Sequence, residues 1–453
     1  MKRIMPVLVV SFLWLAGLGC SSAEPDFTGV QFPCDKTHPC ASGYECVNGR
    51  CVLKGGSMDA QQLGDTAEET KEDLHEEKQG QDVPTEEVPQ KFVPRVAFLY
   101  VGPVGDFGWT WAHDEGRKYL DQLGYDTTYA ESIAPPDSPE VIEDFIKKGY
   151  NVIIGTSYDF LSYMLAAAGK HPDIKFLECS GFQTTPNLGS YFGRLYQVEW
   201  LAGMVAGAMT KTNKIGIVST IAIPEVIRHI NAFTRGVRKV NPDAVVIVKW
   251  VGNWFDPKKE PVLTQELLDE NCDVIHSHTD TTIPLEKIEN KDGEPLKTKD
   301  GHRVWTIGYD ASNACTFGPR TCLTSAYWNW GPMVARILKK MEDGTWDPQK
   351  IIWEQIRNDK KDSGFYLADI KEDVPGEIRI QVHQYIPKLA RPGQEGQQLP
   401  FEGPVKDNKG KVRLAEGKYF TDDDLLKMCW YVEGVVNPDG SPAEVPTECK
   451  GDR

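Results

Sequence analysis

The stretch that decides the fold is residues 95–117, RVAFLYVGPVGDFGWTWAHDEGR. Its opening, residues 95–101, is an apolar run with the β-branched and aromatic bias of a strand buried on both faces. Gly102, Pro103, Gly105 and Gly108 end the run, and glycines in such a turn let backbone approach a ligand closely. A helix follows, with Ala112, Gly116, Tyr119, Leu120 and Leu123 at helical spacing on one side. Ligands of open α/β sheets sit beyond the carboxyl ends of strands, so Asp106, Trp109, Thr110 and Trp111 fall where one is held. G-x-G-x-x-G and a G-K-[ST] ending are both absent, so the turn is not a phosphate loop.

The same alternation continues downstream. Residues 152–155 and 175–179 read as further strands, with helices over 111–123, 139–148 and 161–170 between them. Ser138 before Pro139 reads as a helix cap followed by proline at the first helical position. Residues 199–209, with LAGMVAGAM inside, predict a small-residue helix packed closely on a sheet. A second series follows: strand 214–219, helix 224–240, strand 245–251, helix 257–270, strand 273–277, then strands 304–308 and 321–325. Such alternation calls for right-handed βαβ crossovers and parallel sheets. Residues 93–453 exceed what one core carries, so two lobes are expected. The expected division is lobe 1 over 93–212 plus 309–345, lobe 2 over 213–308, and a C-terminal extension over 346–453, with 321–325 returning the chain toward lobe 1.

The blocks IIGTSYDF (153–160), PNLGSYFGRLYQVEWLAGMVAGAMTKTNKIGIV (186–218), IPEVIRHINAFTRGV (223–237), GNWFDP around Trp254, TIGYDAS (306–312) and LTSAYWNWGP (323–332) complete the pattern. Together with the opening stretch they resemble the basic membrane protein family, the lipoprotein substrate-binding proteins of ABC importers that include purine-nucleoside receptors. The likeness covers roughly residues 94–436, and many ordered blocks are a strong signal where one alone is weak. The resemblance implies two Rossmann-like lobes with parallel sheets around an interlobe cleft, the type I periplasmic-binding-protein architecture. It also implies a monomer that passes a purine base or nucleoside to an ABC permease, without cofactor or metal.

Carried over residue by residue, the resemblance puts Trp109 and Trp254 where the family stacks its ligand between two phenylalanines. Tyr158, Asp106, Thr110 and Asp310 complete the expected rim, and Asn329 is a further polar candidate. In the nucleoside receptors an aspartate after the IG strand and a lysine after the later TS strand grip the ribose. Asp310 matches the aspartate, but Trp328 occupies the lysine's place. An indole there would fill the sugar subsite, which favours a free base such as adenine over a nucleoside. The alternatives are a purine nucleoside receptor or a surface or sensor lipoprotein without a transport role.

The amino terminus places the domain. Lys2 and Arg3 precede an apolar run that ends in LAGLGC, which reads as a lipoprotein signal peptide over 1–19 with Cys20 as the lipidated residue, anchoring an exported protein to a membrane. The chain has eleven cysteines, so ten remain for pairing in an oxidising compartment. Cys34, Cys40, Cys46 and Cys51 lie in a module over 20–54 too poor in apolar residues to fold on a core, and are expected to form a two-disulfide knot. Residues 55–92 form an acidic linker, and the eleven acidic residues and two lysines of its stretch 55–90 supply −9 of the chain's net −16. That balance, with no basic stripe, excludes nucleic acid as a partner.

In the main domain Cys315 pairs locally with Cys322 and Cys429 with Cys449. Cys179 and Cys272, expected in different lobes, stay free so that the lobes can move. No G-x-S-x-G elbow or H-E-x-x-H motif is present, so the chain is not read as an enzyme. His276 and His278 share one strand face near Asp280, but two histidines and a loop carboxylate do not make a metal site.

Overall fold

The computed structural model describes residues 92–449, together with the backbone of three short strands, β1 (Phe32–Pro33), β2 (Tyr44–Val47) and β3 (Arg50–Leu53). These three pair antiparallel in the order β1-β3-β2, within a unit covering residues 1–85. Cys20, the acidic linker and the side chains of Cys34, Cys40, Cys46 and Cys51 lie outside the described residues.

The second unit opens with β4 (Arg95–Leu99), α1 (Trp109–Gln122), β5 (Asp126–Ala130), α2 (Ser138–Lys147), β6 (Val152–Gly155), α3 (Leu161–Lys170), β7 (Lys175–Cys179) and β8 (Leu188–Gly193). Strand β6 is apolar along its whole length, and β6 and β8 are fully buried, as expected for strands covered by helices on both faces. The chain then crosses into α4 (Tyr196–Met209), β9 (Lys214–Ser219), α5 (Pro224–Val240), β10 (Val245–Trp250), α6 (Lys259–Asp269), β11 (Val274–His278), α7 (Ile283–Glu289), β12 (Trp305–Asp310) and β13 (Cys322–Trp328). After α8 (Trp330–Glu342) come two three-residue strands, β14 (Ile352–Glu354) and β15 (Phe365–Leu367), and then α9 (Gly376–Leu389).

Lobe 1 is a parallel sheet in the order β14-β8-β7-β6-β4-β5. Lobe 2 is β10-β9-β11-β12-β13-β15, parallel except for β15, which runs antiparallel to β13. The chain passes between the sheets at residues 194–195, at Asn329 and over 355–364.

Three details differ from the sequence division. Strand β13 pairs with β12 inside lobe 2, so residues 309–328 do not belong to lobe 1, and the return begins only with α8, which packs on α1. A strand buried on both faces carries no mark of which sheet will pair with it. Helix α4 packs on α5 of lobe 2: a Cβ on Gly203 or Gly207 would strike the carbonyls of Phe233 or Val237. The C-terminal extension is no separate appendage, because β14 and β15 complete the edges of the two sheets. At α2, the turn Pro135–Asp137 runs straight into the helix, so Ser138 is already helical and its hydroxyl donates to Pro135 O rather than capping.

Cys315–Cys322 and Cys429–Cys449 are disulfides, and Cys179 and Cys272 are buried free thiols. No helix among the described residues is long and apolar enough to cross a membrane.

Candidate functional site: the interlobe slot

The carboxyl ends of both sheets face one another across a slot. Lobe 1 contributes Val101 beyond β4, Ser157 and Tyr158 beyond β6, and Ser180 beyond β7. Lobe 2 contributes Thr220 beyond β9, Trp254 beyond β10, Asp280 beyond β11, Tyr309 in β12, and Glu225 and Val226 in the first turn of α5. Trp109, opening α1, completes the lobe 1 wall. This is the strand-end crevice where α/β folds hold ligands. Its water-accessible space is about 20 Å³, room for one or two waters, so the slot must widen for a larger molecule to enter.

Trp109 is braced from behind, away from the slot. Its indole N–H donates to Thr156 O at 2.7 Å, and its ring lies 4.8 Å from His113, 5.5 Å from Trp330 and 5.9 Å from Trp328. Burial drives the His113 pKa down to about 3, so this imidazole is neutral within the aromatic cluster. Trp254 sits in a largely exposed loop, and its indole N–H donates across the slot to Asp159 Oδ2 at 3.0 Å. Tyr158 stacks on Phe182 with ring centroids 6.2 Å apart.

The remaining sequence candidates stand around the slot rather than on its wall. Asp106 accepts the backbone N–H groups of Gly108, Thr110 and Trp111, each at 2.9 Å, and so satisfies the start of α1. Thr110 is buried against the Gly102 turn. Trp328 is buried behind Trp109, stacked on Trp330 at 4.3 Å. Asn329 donates to Lys360 O and Ser363 O, tying one interlobe crossing to another. Asp310, fully buried and with φ of 61°, is adjacent to Trp328 through the fold of β12 and β13.

The slot is acidic. Asp280 is held well above the usual carboxylate range, first by burial and then by Asp106, Glu260, Glu225 and Asp159. Asp310 is raised as well, by burial and by Asp280, Asp106 and Glu225, against the pull of the Trp328 indole. Asp106 is raised by burial in spite of its three N–H donors. Carboxylates crowded in this way favour a ligand that presents hydrogen-bond donors.

Sequence reasoning did not assign Ser157, Ser180, Thr220, Glu225, Asp280 and Tyr309 to the site. Their shared signal is position at a strand end or helix start, visible once the strands are set. His276 and His278 face α4 and α5 instead: His276 Nε2 lies 2.9 Å from Glu199 Oε2, and His278 lies 3.3 Å from both His229 and Ser219. Among the described residues no group of three His, Cys, Asp or Glu side chains is placed to hold a metal ion.

Two α/β lobes joined by three crossings, with a slot at their strand ends, define a two-lobed binding fold. A solute-binding protein of an ABC transporter system from Conexibacter woesei superposes with a TM-score of 0.52 at 22% identity, over 66% of this chain and 96% of that one, which shows the fold. Residues 93–360 match the family described as ABC transporter substrate-binding protein PnrA-like, and the chain belongs to that family of binding proteins, which are not enzymes. A purine-binding protein of Brucella abortus is 33% identical over 345 residues, 75% of this chain and 92% of that protein. A putative ABC transporter glucose-binding protein of Haloferax volcanii is 37% identical over 254 residues, 55% of this chain and 62% of that protein.

Proposed function

We propose that this protein binds a purine base, adenine or a close relative, in the interlobe slot and delivers it to an ABC permease from a lipid anchor at Cys20. The observation that carries the reading is that Trp109 and Trp254, from opposite lobes, line one slot. Two indoles suit the faces of a planar ring, and Glu225 and Asp280 suit an exocyclic amine and ring N–H at its edge. The purine-binding relative supports the same class of ligand. Asp310, the residue the resemblance would set on a ribose, is wholly buried beside Trp328 and is not on the slot wall, which supports a base over a nucleoside.

The glucose-binding relative favours a second reading, because a carboxylate-rich slot with indole walls also suits the hydroxyls and apolar face of a sugar. Competition calorimetry with adenine, adenosine and glucose decides between them. Adenine should bind tightest; tighter adenosine would restore the nucleoside reading, and binding of glucose alone would replace both. The anchor is tested separately by mass spectrometry of the mature amino terminus, where an unmodified Cys20 would remove it.

A further inference from the structure

The two lobes are fastened by contacts that need no ligand. The Trp254 indole N–H of lobe 2 donates to Asp159 Oδ2 of lobe 1 at 3.0 Å. On the other side, Gly108 at the start of α1 lies directly against the backbone of Asp280, so closely that a Cβ on Gly108 would run into the Asp280 carbonyl oxygen. Next to it the rings of Phe107 and Phe317 meet across the same boundary at 4.8 Å. Inside lobe 2 the two fastenings are coupled, because Asp280 N donates to Trp254 O.

We propose that Asp159 and Gly108 are the positioning residues of lobe closure: Asp159 turns and holds the Trp254 ring over the slot, and Gly108 is the bare seat on which Asp280 lands. The proposal rests on the slot being the purine site argued above. Packing does not fix Trp254 by itself, since residues 252, 253 and 255 beside it are exposed. A hydrogen bond to a carboxylate is the strong kind, and it forms only when the lobes meet. Gly108 has φ of −131°, outside the left-handed region, so the space left to Asp280 gives this position its need for glycine. Asp280 arrives beside Asp106 and Asp159, and this like-charge approach is what the two fastenings must outweigh.

The test uses the full chain, with adenine as the probe and spin labels on the exposed faces of α2 and α6 reporting the interlobe distance. Asp159→Ala should weaken adenine binding roughly ten-fold, chiefly through faster dissociation, and should lengthen the interlobe distance without adenine present. Trp254→Phe keeps a ring but removes the donor, and should give a similar loss that is not additive with Asp159→Ala. Gly108→Ala should hold the lobes apart even with adenine added. Additive losses in the double variant, or an unchanged interlobe distance in both Asp159→Ala and Gly108→Ala, would overturn the proposal. If instead Trp254→Ala leaves adenine affinity untouched, the stacking reading fails, and the distance measured without adenine still decides closure.

Discussion

Trp109 and Trp254 look equivalent in the sequence, each an indole just past a strand, yet the structure holds them in opposite ways. Trp109 is braced by Trp328, Trp330 and His113 and by the Thr156 carbonyl, so its face is fixed before any ligand arrives. Trp254 stands on a loop whose neighbours are exposed, and its orienting partner, Asp159, belongs to the other lobe. One wall of the slot is therefore prepared in advance and the other is assembled on closure. A rigid wall limits the entropy lost on binding, while a wall assembled late leaves a way in.

The contrast breaks most visibly at Trp109. Trp109→Ala should cost both adenine affinity, by about 1–3 kcal/mol, and fold stability, by about 3 kcal/mol, because the aromatic cluster behind it loses its front ring. Calorimetry and chemical denaturation measure the two losses, and unchanged stability would show that the wall is not braced as described. Trp254→Ala should weaken adenine by a similar ~1–3 kcal/mol while shifting stability by no more than about 0.5 kcal/mol. A large stability loss there would erase the difference between the walls.

The smallest effect belongs to Asp310, buried beside the braced wall. Its folded-state pKa is raised, so the folded protein holds a proton that the unfolded chain releases, and stability falls as pH rises from the unfolded value of about 3.9 toward the folded one. Asp310→Asn should therefore raise Tm by roughly 1–3 °C at pH 8, with the gain shrinking to nothing near pH 4. A destabilised variant at pH 8 would mean that the carboxylate is satisfied by a partner, not strained by its neighbours.

Long, periodic elements were legible. The strand at Arg95–Leu99, the helix after it and the alternation through His278 follow from apolar runs punctuated by glycine and proline. Trp109, Tyr158 and Trp254 were readable as slot residues because position after a strand is a local property. Sheet membership is not local: β13 is buried on both faces and fits either lobe until β12 pairs with it. The three-residue strands β14 and β15 are too short to show a period. Glu225 reads in sequence as an ordinary acid in a helix's first turn, and only the approach of lobe 1 turns it into part of a site.

Neither lobe is one continuous length of chain, and this governs how the molecule can fold as it emerges. The sheet of lobe 1 is finished by β14, which joins β8 about 160 residues after that strand has been made, while lobe 2 is finished by β15 across a much shorter gap from β13. Closing the longer loop is slow. The first lobe must pass through a stage in which the edge of β8 lies unpaired, an aggregation hazard while the rest of the chain is still to come. A truncation before Ile352 should therefore yield not a smaller working domain but two sheets with open edges.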